Sequence, residues 1–151
     1  MKSMSAKFLA LLVALGLSFA GFTAPSAVAD DKPFAEAKVV LQISDNDPTK
    51  QTLVLNVAHN LLMHYGPDRV AIEVVAFGPG LRLLFADNSN KERIASLAGD
   101  GVQFSACEHT IHNFTKLLGH APELNSHAVK VSAGVVRLLE LQKAGYTIVK
   151  P

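Results

Sequence analysis

From residue 38 onward the sequence alternates between apolar runs of strand length and longer segments in which apolar residues recur every three or four positions. Residues 38–43 and 70–76 are rich in β-branched side chains, and residues 101–106 form a third short run, which predicts three strands. Residues 128–131 and 146–149 predict two more. Strands separated by helices pair in parallel, because each helix carries the chain back to the same end of the sheet. The sequence therefore predicts an α/β fold, a three-layer α/β/α sandwich of flavodoxin-like architecture with a mainly parallel sheet of about five strands.

The segments between these runs have the spacing of amphipathic helices. Asp47 suits an N-cap with Pro48 at the first helical position, and Ser132 is predicted to cap the last helix. The predicted helices cover residues 48–66, 90–98 and 110–118 and the stretch between Ser132 and Gly145, with a further short helix at 81–85.

The first 29 residues predict a cleavable secretory signal peptide. Lys2 and Lys7 give a basic start without acids, and the apolar stretch 8–22 is shorter than the roughly 20 residues that span a bilayer. Small residues at 27–29 suit a signal peptidase, so the mature chain is predicted to begin at Asp30. No cysteine near this junction could take a lipid. We expect secretion through the signal-peptide pathway to the periplasm and no stable membrane anchor.

The mature chain is predicted to form a single domain, residues 30–151. Removing the 29 leader residues, which include two lysines and no acid, leaves 122 residues with 12 basic and 13 acidic side chains. This balance offers no basic surface, so no nucleic-acid partner is expected. The chain has one cysteine and therefore no internal disulfide, so burial must stabilise the fold.

Three segments follow the first three predicted strands and should meet at the carboxyl edge of the sheet, where open parallel sheets bind ligands. They are residues 44–48, 78–80 and 107–112. Ser44, Asp45, Gly78 and Gly80 are thus candidate ligand-binding residues. The glycines lack the spacing of a dinucleotide fingerprint or a P-loop, so no cofactor is predicted.

Cys107 is the candidate nucleophile of this edge, because it leaves a strand and enters a helix N-terminus. Unpaired amides at such a terminus favour a thiolate. A protonated His109 would favour it further, whereas Glu108 would oppose it. The alternative is a small buried cysteine that acts only as an apolar core residue.

A metal site is a further alternative, because Cys107 and four histidines lie within 21 residues. His109 and His112 are three apart and could share a helix face. A closed zinc site usually has tighter paired spacing, so the main prediction contains no metal. His59 and His64 are predicted to be solvated surface residues.

Four stretches of the mature chain resemble the DsrE/DsrF-like family. They are residues 39–45, 74–80, 101–110 and 134–146. The resemblance implies a three-layer parallel α/β fold, a homotrimer or homohexamer, and a role in sulfur relay or sulfur metabolism. It also implies that Cys107, which matches the sulfur-carrying cysteine of the family, takes sulfur as a persulfide from a donor and passes it to an acceptor. The alternatives are a non-catalytic small-ligand or metal-binding module and an oligomeric scaffold of the same fold.

Overall fold

The computed structural model describes residues 32–151. The predicted signal peptide, residues 1–29, and the predicted mature N-terminus at Asp30 lie outside the described residues. Within the described part, no helix has both the length and the apolarity needed to cross a bilayer.

Five strands and four α-helices alternate along the described chain. The strands are β1 (Ala37–Ile43), β2 (Val70–Ala76), β3 (Gln103–Cys107), β4 (Ala128–Val131) and β5 (Thr147–Val149). The helices are α1 (Pro48–Tyr65), α2 (Lys91–Gly99), α3 (Glu108–Leu118) and α4 (Gly134–Lys143), and a 3₁₀ helix covers Gly78–Leu84. The strands form one sheet in the order β4-β3-β2-β1-β5, and every neighbouring pair is parallel. The predicted α/β sandwich with a five-stranded parallel sheet is confirmed.

The strand order places the helices unequally on the two faces of the sheet. From β1 to β4 the chain steps in one direction, whereas α4 carries it back across the sheet from β4 to β5 at the opposite edge. Parallel crossovers are right-handed, so a reversal of direction moves the connecting helix to the other face. Accordingly α4 packs on β1, β2, β3 and β5, while α1 packs on the other face.

The larger core lies between the sheet, α1, α2 and the 3₁₀ helix. Its members are buried aliphatic side chains and Phe104, among them Leu41, Leu55, Val74 and Ile94. We call this side of the sheet the α1 face. A smaller cluster lies under α4, on what we call the α4 face, and consists of Val40, Ala71, Val75, Leu138, Leu141 and Tyr146. The two clusters alternate along each strand, as side chains of a pleated sheet must.

The start of α1 is as predicted. The Asp47 carboxylate accepts the Thr49 amide at 2.7 Å, and Pro48 is the first helical residue, where its missing N–H costs nothing. The predicted short helix at 81–85 is the 3₁₀ helix, which begins earlier, and α3 begins at Glu108 rather than at residue 110.

The prediction that Ser132 caps α4 is wrong. Ala133 is extended, with φ −144° and ψ 127°, so the helix begins one residue later at Gly134 and no side chain caps it. Tertiary contacts surround this helix start instead, because Gly134 packs closely against the Phe77 ring and its amide acts on the Cys107 thiol.

Candidate functional site

Cys107 is the last residue of β3 and the N-cap position of α3. The sequence predicted it at the carboxyl end of this strand and at the approach to a helix that was expected to begin at residue 110. Its side chain is 5% exposed. It lies two residues after Ser105 on the same strand, so both side chains belong to the α4 face. The thiol is therefore placed between the N-terminus of α3 and the N-terminus of α4.

Two opposing effects act on the pKa of the Cys107 thiol. Burial raises the pKa, because a thiolate loses hydration. Hydrogen bonding from the Thr110 hydroxyl and from the backbone amides of Gly134, Thr110 and His109 lowers it. The donors outweigh burial, so the pKa lies below its ordinary value and the thiolate is favoured.

Thr110 connects the thiol to the loop after β2. Its side chain is buried, and its Oγ1 accepts the Gly78 backbone N–H at 2.9 Å. With that acceptor position filled, the hydroxyl hydrogen can be donated to the sulfur. Gly78 thus acts on Cys107 through Thr110, and its positive φ of 54° is a conformation that side-chain-bearing residues rarely adopt.

Two close backbone approaches hold this edge together. A Cβ on Gly134 would lie 2.8 Å from the Phe77 ring, and a Cβ on Gly80 would lie 2.5 Å from the Ile43 carbonyl oxygen. Only glycine permits these distances. Gly134 brings the uncapped start of α4 to the sheet edge, and Gly80 packs the 3₁₀ helix against the end of β1.

The other predicted residues have unequal parts in this arrangement. Glu108 and His109 are exposed, and the effect of His109 on the thiol comes from its backbone amide. Asp45 forms an ion pair with Lys50, with 3.0 Å between Oδ1 and Nζ, and Ser44 is the first residue after β1. Gly78 is brought to Cys107 through Thr110, whereas Gly80 is a packing position.

The metal alternative finds no ready-made ligand set in residues 32–151. No group of three or more His, Cys, Asp and Glu side chains in this range is placed to hold an ion. His112 is exposed on α3, as is His109. His59 and His64 are exposed on α1, as predicted.

A buried ion pair that sequence patterns did not reveal joins β2 to α4 on the same face of the sheet as the thiol. Glu73, in the middle of β2, is fully buried and accepts two hydrogen bonds from Arg137 of α4, each at 2.8 Å. The hydroxyl of Ser105 donates to the same carboxylate. Glu73 raises the pKa of the Arg137 guanidinium through hydrogen bonding, so the arginine stays charged. The sequence contained one signal of this ion pair, because Glu73 is an acidic residue in the centre of an otherwise apolar strand.

A groove of about 440 Å³ opens between the 3₁₀ helix and α3 at the same edge. Gly78 and Thr110, the two residues that connect to Cys107, line it together with Asn46. Arg82, Phe114 and Leu117 line the rest together with Pro79 and Asn113. No sequence pattern indicated this groove, because the residues that line it come from separate segments of the chain.

The fold is similar to that of a protein of unknown function from Methanobacterium thermoautotrophicum. The two sequences are 28% identical, the TM-score is 0.68, and the match covers 77% of this chain and 100% of that one. A protein of unknown function from Bacteroides thetaiotaomicron matches more weakly, with 15% identity, a TM-score of 0.46, and coverage of 83% of this chain and 100% of that one. No protein-family model and no curated protein matches this chain. The comparisons therefore support the fold and leave the function to the site.

Proposed function

We propose that this protein is an exported, DsrE-like sulfur carrier that holds sulfane sulfur on Cys107 as a persulfide. The observation that carries the proposal is the set of donors around the thiol, which lower its pKa although it is buried. A sulfur carrier needs a thiolate as the attacking group and stabilisation of the anionic persulfide that follows. The same hydroxyl and amides serve both needs.

The chemical step is a nucleophilic displacement. The Cys107 thiolate attacks the terminal sulfane sulfur of a donor, a new S–S bond forms, and the bond between that sulfur and the rest of the donor breaks. The donor remnant leaves with the bonding electron pair, so the step requires no added oxidant or reductant. An acceptor thiolate then removes the outer sulfur and returns Cys107 to its thiolate. Burial of the sulfur shields the persulfide from further oxidation.

Intact-mass spectrometry tests the carrier role directly, because the chain has a single cysteine. The mature protein is measured before and after exposure to thiosulfate or polysulfide, and again after reduction. We expect a gain of one sulfur atom that reductant removes and that Cys107→Ser does not show. A protein that gains no sulfur from either donor, or a Cys107→Ser variant that gains it equally, contradicts the proposal.

Export is part of the proposal and rests on the sequence of residues 1–29. The mass of the protein purified from the periplasm of producing cells tests it. A mass corresponding to residues 30–151 supports export with cleavage after Ala29. A full-length chain confined to the cytoplasm contradicts it.

We also infer that the protein forms a homo-oligomer, a trimer or hexamer, through exposed apolar side chains of α4 and β4. Val135, Val136 and Leu139 on α4 are 55%, 47% and 51% exposed, and Val129 on β4 is 62% exposed. An apolar patch of this kind favours contact with another subunit. Leu139→Lys should lower the molar mass in light scattering, whereas Met63→Lys, at an exposed position on α1, should not. A monomeric wild-type protein contradicts the inference.

A further inference from the structure

The groove between the 3₁₀ helix and α3 has one charged group. Of the residues that line it, Arg82 alone is ionisable, and the others are neutral polar or apolar. The groove is therefore electropositive through a single guanidinium, while Phe114 and Leu117 supply an apolar wall.

Arg82 differs from the other arginines of the described chain in its partners. Arg69 pairs with Glu36, Arg137 pairs with Glu73, and Arg93 bonds to the side chain of Asn56. The Arg82 guanidinium instead lies over two aromatic rings, 5.1 Å from the Phe114 centroid and 5.8 Å from the Phe85 centroid. Within residues 32–151 it makes no ion pair with a carboxylate, although Asp87 and Glu123 line a neighbouring pocket that Arg82 also lines.

This combination is complementary to an organic anion rather than to an inorganic one. A guanidinium presents several N–H donors to a charged oxygen-rich head group. The side-chain amides of Asn46 and Asn113 add donors along the same groove. The rings and Leu117, which is 75% exposed, offer apolar contact that a small hydrated ion does not use.

We propose that the groove binds a small organic anion with an apolar body, and, on the basis of the proposed function, that this anion is an organic thiosulfonate, RSO₂S⁻, acting as the sulfur donor. The thiolate of Cys107 attacks the terminal sulfur, the S–S bond to cysteine forms, and the bond between the two donor sulfurs breaks. The sulfinate RSO₂⁻ leaves with the electron pair. Because Cys107 is only 5% exposed, the donor body must lie outside the thiol site. Cys107 does not line the groove, but Thr110, whose hydroxyl acts on the thiol, does, so the groove provides space beside the thiol for the donor body.

Binding is tested without sulfur transfer by using benzenesulfonate, an unreactive analogue of benzenethiosulfonate, and Cys107→Ser protein. Amide chemical shifts in ¹⁵N-labelled protein report both binding and an intact fold. We expect saturable shifts around Asn46, Asn113 and Phe114. Methanesulfonate has no ring and should bind at least about tenfold more weakly, because it loses apolar contact comparable to the burial of one side chain. Absence of saturable shifts at millimolar benzenesulfonate overturns the proposal.

Two pairs of variants locate the charge that binds. Arg82→Gln should weaken benzenesulfonate binding about tenfold or more, whereas Lys116→Gln, at an exposed cation of α3 outside the groove, should not. Leu117→Asp and Leu117→Asn remove the same apolar contact, and only Asp should repel the anion. Leu117 is exposed, so both variants should fold. Equal binding by the Asp and Asn variants, or by Arg82→Gln and wild type, overturns the proposal.

The outcomes separate this inference from the proposed function. Benzenesulfonate binding to Cys107→Ser with loss in Arg82→Gln supports the groove even if no persulfide forms. For wild-type protein, single-turnover reaction with benzenethiosulfonate should release one benzenesulfinate per persulfide, and Arg82→Gln should slow this reaction whereas Lys116→Gln should not. A persulfide formed from benzenethiosulfonate as fast in Arg82→Gln as in wild type leaves the carrier role standing and overturns the groove as the donor site.

Discussion

The two faces of the sheet have different compositions. On the α1 face, aliphatic side chains of the strands meet those of two helices and the 3₁₀ helix in an extensive apolar core. On the α4 face, one helix covers a smaller apolar cluster, and next to it lie the Glu73–Arg137 pair, the Ser105 hydroxyl and the Cys107 thiol. Both faces belong to the same strands, so the difference comes from which strand side chains point to each face and from what packs on them.

The difference shows how one sheet can separate stability from chemistry. Apolar burial on the α1 face contributes most of the stabilisation, since the apolar area removed from water is larger there. The α4 face holds the polar groups, and each buried polar side chain in the described residues has a partner. The ion pair anchors α4 to β2, and the start of that helix carries the Gly134 amide that acts on the thiol. The predictions below test this separation.

The largest effect is expected from breaking the buried ion pair of the α4 face. Arg137→Met leaves the Glu73 charge buried without a partner and should lower the free energy of unfolding by about 3–5 kcal/mol. Urea denaturation followed by circular dichroism measures it. The double variant Glu73→Gln/Arg137→Met removes both charges, keeps an acceptor for Ser105, and should recover most of the loss. A double variant as unstable as the single one would show that the cost arises from packing and not from the charge.

The next largest effect is expected from the α1 face. Leu55→Ala removes a fully buried side chain of α1 and should cost about 3 kcal/mol, through lost burial and the cavity that remains. The rate of Cys107 alkylation in the folded protein should not change, because the side chain lies on the other face. Leu53→Ala, at a 42% exposed position of the same helix, should change stability by less than about 1 kcal/mol. A large change in Cys107 reactivity in Leu55→Ala would contradict the separation of the faces.

A smaller effect is expected at Thr110. Thr110→Val removes the hydroxyl, leaves the Gly78 N–H without its acceptor, and should cost about 1–3 kcal/mol. It should also raise the pKa of Cys107, so that iodoacetamide alkylation at neutral pH slows and its midpoint moves to higher pH. Thr110→Ser keeps the hydroxyl and should resemble wild type in the pH profile. An unchanged profile in Thr110→Val would remove this hydroxyl from the site.

The same pKa shift predicts a pH dependence of stability. Because the folded-state pKa of Cys107 is lowered, its contribution is fully present above the unfolded-state pKa. The contribution is lost as the pH falls through the folded-state pKa. Over that window the difference in unfolding free energy between wild type and Cys107→Ser should rise with pH.

The smallest effect is expected at the exposed start of α1. The backbone hydrogen bond from Thr49 lowers the pKa of Asp47, so the charged carboxylate is the better cap. Asp47→Ala should lower the unfolding midpoint slightly at neutral pH, and Asp47→Asn, which keeps a side-chain oxygen, should lower it less. The contribution of the charge should be full above the ordinary pKa of 3.8 and vanish as the pH falls through the lowered value. A difference between wild type and Asp47→Asn that persists in acid would exclude the charge as its cause.

Local patterns in the sequence were sufficient for much of this molecule. The alternation of strand runs and helical spacing predicted the parallel sandwich, Asp47 and Pro48 predicted the start of α1, and Cys107 was placed at the end of a strand and the start of a helix. These features depend on period, on caps and on neighbours within a few positions, all of which are present in the chain itself.

The tertiary structure alone decided what surrounds the thiol. Glu73 and Arg137 are 64 residues apart, and Gly78 and Thr110 are 32 apart. The helix α4 begins at Gly134, packed against the distant Phe77 ring, without the predicted side-chain cap from Ser132. Each of these contacts depends on α4 crossing back over the sheet or on neighbouring strands ending at one edge. No periodicity within a segment encodes such long-range pairings, so the sequence determined the elements and the positions of the candidate residues, while packing determined which of them meet.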